Sequence, residues 1–550
     1  MKIQLSKNSG GMDMKMKRVL AIVLAASMVF GATGCMKKSN GKQEKENRKA
    51  VETPADIWEP YEEEVTLHTV MAENSAIKWE EGDDYDNNPW YREYKKRFNV
   101  QVKNDWVSND YSTKLNLSIA EGNLPDVFTV NAQQLEELQE ADLIWDLDEI
   151  WEENASDLLK SYMEKNQGIF DTAKIDGKLY GIPQLNLGAD VSVLWVKKDW
   201  KEESGVKEIK TIADFEKMVK TIKEKHGKFG ITETSDLAGM FAMAPGWGAY
   251  PNIWIEKEDG SIEYGSIQPE MKQVLETYAR WYKEGLLDPE FTITDGDKMF
   301  QKVLNEEVGI SPFSSWFVWG VGPGSIEEFG VDGTFDAYPM PTVTGEEAKA
   351  GIEFANYGYN VISKDCPNPE AAIRLMNYYA YMVSGEGDED PKLVKSLFNM
   401  NTVPYSFRVF NPDTEYNRYK RINEALPQGS AADTSSWGQD AEQYAKCMMV
   451  IEDNDPAGGG EYLQYGKEKC SMEVTADMMD KKLFVEDKMW GAPTETLGKS
   501  GSTLDDILIE GFTKIIVGEK PIDYFDTLVQ DWAKAGGEQA TKEVNEVYGK

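Results

Sequence analysis

The chain has 550 residues, with 59 Lys+Arg against 96 Asp+Glu and a formal net charge of −37. At 41% hydrophobic and 11% aromatic it can bury large cores, which excludes wholesale disorder, and its length calls for more than one packed unit. The acidic balance disfavours nucleic acid, because phosphate binding needs Lys and Arg, and two histidines, His68 and His226, leave little for zinc chemistry or a Ser-His-Asp relay.

Residues 14–35 read MKMKRVLAIVLAASMVFGATGC. Lys15, Lys17 and Arg18 precede an apolar stretch, Val19–Phe30, that is shorter than the about 20 residues a bilayer span needs. Residues 1–34 therefore read as a signal peptide. Ala32, Thr33 and Gly34 run into Cys35, a pattern similar to the lipobox of bacterial lipoproteins, in which that Cys is diacylated. The alternative is a plain secretory signal with an accidental Cys. Residues 35–57 are expected to form the lipidated Cys and a flexible tether, since residues 36–56 hold almost nothing apolar. Lys37, Lys38, Lys42, Lys45, Arg48 and Lys49 would face anionic headgroups, or simply keep the linker soluble.

Further on, short apolar strands alternate with capped amphipathic helices, which predicts an α/β protein. Strands are expected at Asp126–Val130, Val191–Val196 and Val308–Ser311. Thr211-Ile-Ala-Asp214 has the form of a capping box, followed by Phe215, Met218, Val219 and Ile222 at helical spacing. Pro269 opens another helix, with Gly285 suited to its C-terminal cap, and Ser502-Thr-Leu-Asp505 is expected to start a third that ends at Gly518. The remaining cysteines, Cys366, Cys447 and Cys470, show no Cys-x-x-Cys spacing, so a zinc knuckle or redox motif is unsupported. A Cys447–Cys470 disulfide and free buried thiols both stay open.

Gly122-Asn-Leu-Pro-Asp126-Val-Phe, Asp176-Gly-Lys-Leu-Tyr180-Gly-Ile-Pro183, Leu194-Trp-Val-Lys-Lys-Asp199-Trp200 and Gly285-Leu-Leu-Asp288-Pro-Glu-Phe follow one another in an order that resembles the extracellular solute-binding proteins, family 1, of ABC importers. Trp490-Gly-Ala-Pro-Thr494, Ile522-Asp-Tyr-Phe525-Asp and Val544-Asn-Glu-Val-Tyr548 continue the pattern. It is most similar to the large lipoprotein subfamily of Gram-positive bacteria, often linked to carbohydrate uptake. The resemblance implies a two-lobed, periplasmic-binding-protein-like α/β fold with a hinge and an interlobe ligand cleft. Lobe 1 is expected at 58–187 plus 360–405, and lobe 2 at 188–358 plus 406–550. The crossings would lie near Gly181–Leu187 and Tyr357–Asn360. It further implies a monomer with ABC permease subunits as partners, no cofactor and no catalysis.

A neutral sugar offers apolar C–H faces and a ring of hydroxyls, so its site needs aromatic platforms and planar polar groups. Trp316, with Trp319 beside it, follows the Val308 strand where family members place a stacking aromatic. Trp247 and Trp437 lie in Gly-punctuated loops. Asn131 and Gln133 follow the Asp126 strand, and Asn88 and Trp90 sit at a helix start. These eight are the expected ligand-binding residues. The loops around Trp247 and Trp316 hold no Arg or Lys, which favours a neutral oligosaccharide over uronates. A peptide or other small solute, or a surface glycoside-degrading enzyme, are the alternatives.

Calcium is unsupported. Asp295, Asp297 and Glu306 take positions one, three and twelve of a loop whose positions five and six are Met299 and Phe300. Gly458-Gly-Gly460 lacks the Lys-Ser/Thr of a phosphate loop and reads as a surface turn.

Overall fold

The computed structural model describes residues 48–549 except 75–76, 78, 187–190, 354–355, 385–396 and 398–404. Cys35, the leader and most of the tether lie outside these residues.

The buried apolar side chains separate by chain segment. One cluster draws on residues 61–185 and 359–410, and three more draw on residues 191–340 and 422–544. In the first body, strands Val65–Ala72 and Val100–Ser108 pair in parallel. A second sheet has the order Val127–Val130, Tyr359–Ile362, Ile182–Pro183, all antiparallel. Helix Pro369–Ser384 fills the middle, with residues buried on every face, as its continuous apolar run allows. The second body is organised on strand Ser192–Lys197, flanked by Ile310–Ser314 and Phe335–Tyr338. The C-terminal helices Glu495–Ile516, Tyr524–Trp532 and Glu538–Tyr548 pack on helix Glu270–Lys283 and on the hairpin Trp254–Tyr264, where Tyr264 stacks on Trp532 at 5.7 Å.

Local signals explain some of the element boundaries. Thr211 and Asp214 form the reciprocal cap of helix Ile212–His226, and Gly227 closes it in the left-handed region. The third expected start differs. The helix begins at Glu495, not Ser502, because Glu543 accepts from the Thr496 N–H and hydroxyl and fixes an earlier first turn. Gly458–Gly460 is not a surface turn. All three are buried, and a side chain at Gly459 would overlap the backbone of Gly322, so these glycines let two helices touch. Cys366, Cys447 and Cys470 are all buried free thiols.

The expected tether also ends earlier than residue 57. Asn368 binds both the N–H and the carbonyl of Val51, at 2.9 and 2.8 Å. The buried Arg374 guanidinium donates to the carbonyls of Pro54 (2.6 Å) and Asp56 (3.1 Å). Residues 51–56 are thus strapped to the first body, because a buried guanidinium needs acceptors and these carbonyls supply them.

Candidate functional site

The two bodies meet where three chain segments pass between them. The Gln184 N–H donates to Gly358 O at 2.9 Å, and the Phe410 N–H donates to Gln184 O at 2.8 Å. Side chains repeat the stitching: Gln184 Nε2 donates to Asn360 Oδ1, and Asn360 Nδ2 to Arg408 O, both at 2.9 Å. The first crossing continues into 187–190, outside the described residues.

Two cavities open beside this hinge. The larger, about 990 Å³, is a groove in the second body reached by Asn186, Tyr250, Asn252, Tyr357, Met489 and Gly491. The smaller, about 370 Å³, is walled by Tyr111, Thr129, Asn131 and Gln134 of the first body and by Gly491 and Pro493 of the second. Tyr357 and Gly491 border both, so together they outline one cleft across the hinge. The larger volume lies at the upper end of ordinary small-molecule sites.

Tyr357 is 59% exposed, and its ring meets buried Phe410 in a T-shaped contact with centroids 5.9 Å apart. Its ring is therefore braced on Phe410 and stays more than half exposed at the border of both cavities. The groove carries Asp236, Glu347, Glu353, Asp477, Asp487 and Asp505 against a single Lys349. Lys481 pairs with both Glu347 (2.5 Å) and Asp477 (2.7 Å). Burial pushes the Asp487 carboxyl up to about 6, although it accepts from the Trp254 and Met489 N–H groups. Asp505 is raised by burial too, and Tyr264 Oη donates to it at 3.1 Å. A groove so lined accepts hydrogen bonds from hydroxyls and repels anions.

Of the residues expected from sequence, only Asn131 borders either cavity. Its amide oxygen, however, accepts from the Gln134 N–H and caps helix Ala132–Glu140. Asn88 is fully buried and caps helix Pro89–Phe98 in the same way, so it is unavailable to a ligand. Trp90 is a core residue whose indole N–H donates to Leu397 O. Trp247 turns inward onto Trp281 at 6.2 Å, while Pro245, Tyr250 and Asn252 of its loop reach the groove. Trp437 packs on Tyr444 and under Arg421. Gln133 is exposed and donates to Glu137. Trp316 and exposed Trp319 lie with rings 6.5 Å apart, and strand register puts Ser314, two residues before Trp316, opposite groove-lining Ser192. They stand near the groove without lining it.

Sequence reasoning missed Tyr357, which borders both cavities and lies inside a segment it had quoted. The aborted calcium loop is accounted for otherwise: Asp295 caps helix Gly296–Leu304, and Glu306 pairs with buried Lys197 at 2.8 Å. Among the described residues, no group of three or more His, Cys, Asp or Glu side chains is placed to hold a metal ion. No helix among them is long and apolar enough to cross a membrane.

Two α/β bodies, three crossings and a cleft at the hinge define the class of two-lobed binding receptors. The sequence profile of the bacterial extracellular solute-binding proteins matches residues 79–380, more than half of the chain, and the chain belongs to that family. Lipoprotein LipO of Bacillus subtilis (strain 168) is 21% identical over 493 residues, which cover 84% of this chain and 89% of LipO. An HMO-binding, ABC-transporter-associated solute-binding protein from Bifidobacterium longum infantis superposes with a TM-score of 0.60 at 13% identity, covering 88% of this chain and 98% of that one. The alginate-binding protein AlgQ2 superposes with a TM-score of 0.57 at 16% identity, covering 90% and 100%. The fold is accordingly the two-lobed, periplasmic-binding-protein-like one.

Proposed function

We propose that this chain is the lipid-anchored extracellular receptor of an ABC importer, which captures a neutral oligosaccharide in the hinge cleft by lobe closure and hands it to the permease. Tyr357, an exposed ring braced on Phe410 where the two cavities meet, carries this reading. It offers a sugar face a platform, and the surrounding carboxylates and amides offer its hydroxyls acceptors and donors. The fold is shared by an alginate-binding protein and an HMO-binding protein, so fold alone does not choose the charge of the ligand. The excess of carboxylates over Lys349 favours a neutral chain over a uronate one.

Ligand touching both lobes favours the closed state, and closure consumes part of the binding energy so that release stays feasible. We read the protein as binding without turnover. Lobe 1 is taken as 58–187 plus 360–405, extended by the strap 51–56 and by Phe407, Val409 and Phe410, which pack in its core, and lobe 2 as 188–358 plus the remainder of 406–550. Cys35 is the lipidation site: Cys35→Ala should release the protein from the membrane fraction, and persistence there would remove the anchor from this account. A second reading keeps the receptor role with a basic peptide as ligand, favoured by the acidic groove.

The decisive test is isothermal titration of neutral oligosaccharides, uronate oligomers and basic peptides into the pure protein. Heat from a neutral oligosaccharide without product formation supports the proposal. Heat from uronates or peptides alone replaces it.

A further inference from the structure

Trp490 lies between the groove-lining residues Met489 and Gly491, on the turn that follows strand Phe484–Glu486. That turn is bolted to the second body at both ends. The Asp487 carboxylate accepts from the Trp254 and Met489 N–H groups at 3.0 Å, and the Trp490 indole N–H donates to Asp487 O. At the far end Tyr548 Oη donates to Ala492 O at 2.8 Å. So held, the indole reaches across to the first body. Its six-membered ring covers Gly168 in helix Gln167–Asp171 so closely that a side chain there would overlap it, and the three atoms nearest to such a side chain all belong to Trp490. Gly168 is therefore a seat: a helical position left bare where a ring from the other body rests. A second approach between the bodies lies at Gly498, where a side chain would come 3.8 Å from Gln133 Oε1 of the first-body helix Ala132–Glu140.

We propose that Trp490 is the positioning residue of the cleft. Seated on Gly168, it sets the first body against the second, and a ligand touching Met489 and Gly491 stabilises the turn that presents it. This rests on the lobe-closure reading above, but the contact can be tested without any ligand. An indole bridging two bodies buries apolar area with little entropy to lose, and such a contact biases the open–closed balance.

The test is small-angle X-ray scattering of the ligand-free protein and its variants Gly168→Ala, Trp490→Ala, Trp490→Phe and the Gly168→Ala/Trp490→Ala double. Gly168→Ala should enlarge the radius of gyration, because the added methyl displaces the indole from its seat. Trp490→Ala should enlarge it as well, Trp490→Phe should restore most of the wild-type value, and the double variant should match Trp490→Ala alone. An unchanged radius in Gly168→Ala overturns the proposal, as does an effect of Gly168→Ala that persists undiminished once Trp490 is gone. If these scattering results hold while no solute binds, the clasp stands and the receptor reading falls. If solute binds while Gly168→Ala changes nothing, the reverse is true.

Discussion

Gln184 Nε2 donates to Asn360 Oδ1 at 2.9 Å, and both side chains are fully buried at the point where three chain segments cross between the lobes. Asn360 passes the link on to Arg408 O, so one amide joins the first, second and third crossings. A hinge needs segments that bend together rather than slide, and a buried amide network supplies that register.

Asn360→Ala would leave Gln184 Nε2 with the Thr129 hydroxyl at 3.0 Å and strip Arg408 O of its side-chain donor. The expected cost is about 2–4 kcal/mol, from stranded buried polar groups. Denaturant unfolding checks it: a midpoint within error of wild type would contradict the role given to this amide.

The strap makes a prediction about where the fold begins. Arg374→Ala should cost about 2–4 kcal/mol, since it removes the Pro54 carbonyl's guanidinium donor, leaves Asp56 O with only the Glu59 N–H, and loses the stack on Tyr61 at 5.4 Å. A chain starting at residue 57 should melt several degrees below one starting at residue 48. Equal melting temperatures would mean that residues 51–56 are a loose tether after all.

Glu233 gives a pH signature. Its carboxyl is buried, accepts from the Thr234 and Gly239 N–H groups at 2.9 Å, and is pushed by burial from 4.5 up to about 8. The folded state therefore holds a proton that the unfolded state releases, so this group's contribution is full below about pH 4.5 and is lost as pH rises towards 8. Glu233→Gln cannot ionise and should gain Tm relative to wild type steadily between pH 5 and 8. A difference in Tm that stays constant across that range would show that Glu233 does not titrate there.

Tyr357→Ala should weaken oligosaccharide binding about tenfold, roughly 1.4 kcal/mol, while leaving stability within about 0.5 kcal/mol because the ring is largely exposed. Titration calorimetry and thermal melting, run on the same preparation, separate the two effects. Undiminished affinity would move the platform elsewhere, with Trp316 the next position to vary.

How far the sequence disclosed this protein depends on how local each feature is. The Thr211–Asp214 cap was legible because both partners lie within one turn. The same logic was available, and unused, at Asn131 and Gln134, which form a capping box, and at Asn88 before Pro89 at the first helical position. Asn131 and Asn88 read as sugar ligands, and each spends its side-chain oxygen on a backbone N–H. Trp247 turns inward for a different reason. Its Gly/Pro-rich loop does border the groove, but whether the ring turns towards Trp281 or the cleft is fixed by packing from distant segments. Tyr357 and Tyr359 stand two apart, and regular strand alternation would place them on one face. Gly358, at φ +138°, breaks that alternation, so Tyr359 is buried and Tyr357 is exposed. The order of the family motifs carried the fold. The site depended on backbone turns and long-range packing that one sequence does not display.

Capture of a neutral oligosaccharide in the hinge cleft can be read from a thermal-shift screen of residues 48–550. A ligand at 100 times its Kd stabilises by about 2.7 kcal/mol, a readily measured rise in Tm. Tm should rise with one class of neutral oligosaccharide, less so in Tyr357→Ala, and stay unchanged with uronate oligomers. A rise with peptides or uronates and silence from every neutral oligosaccharide would contradict it.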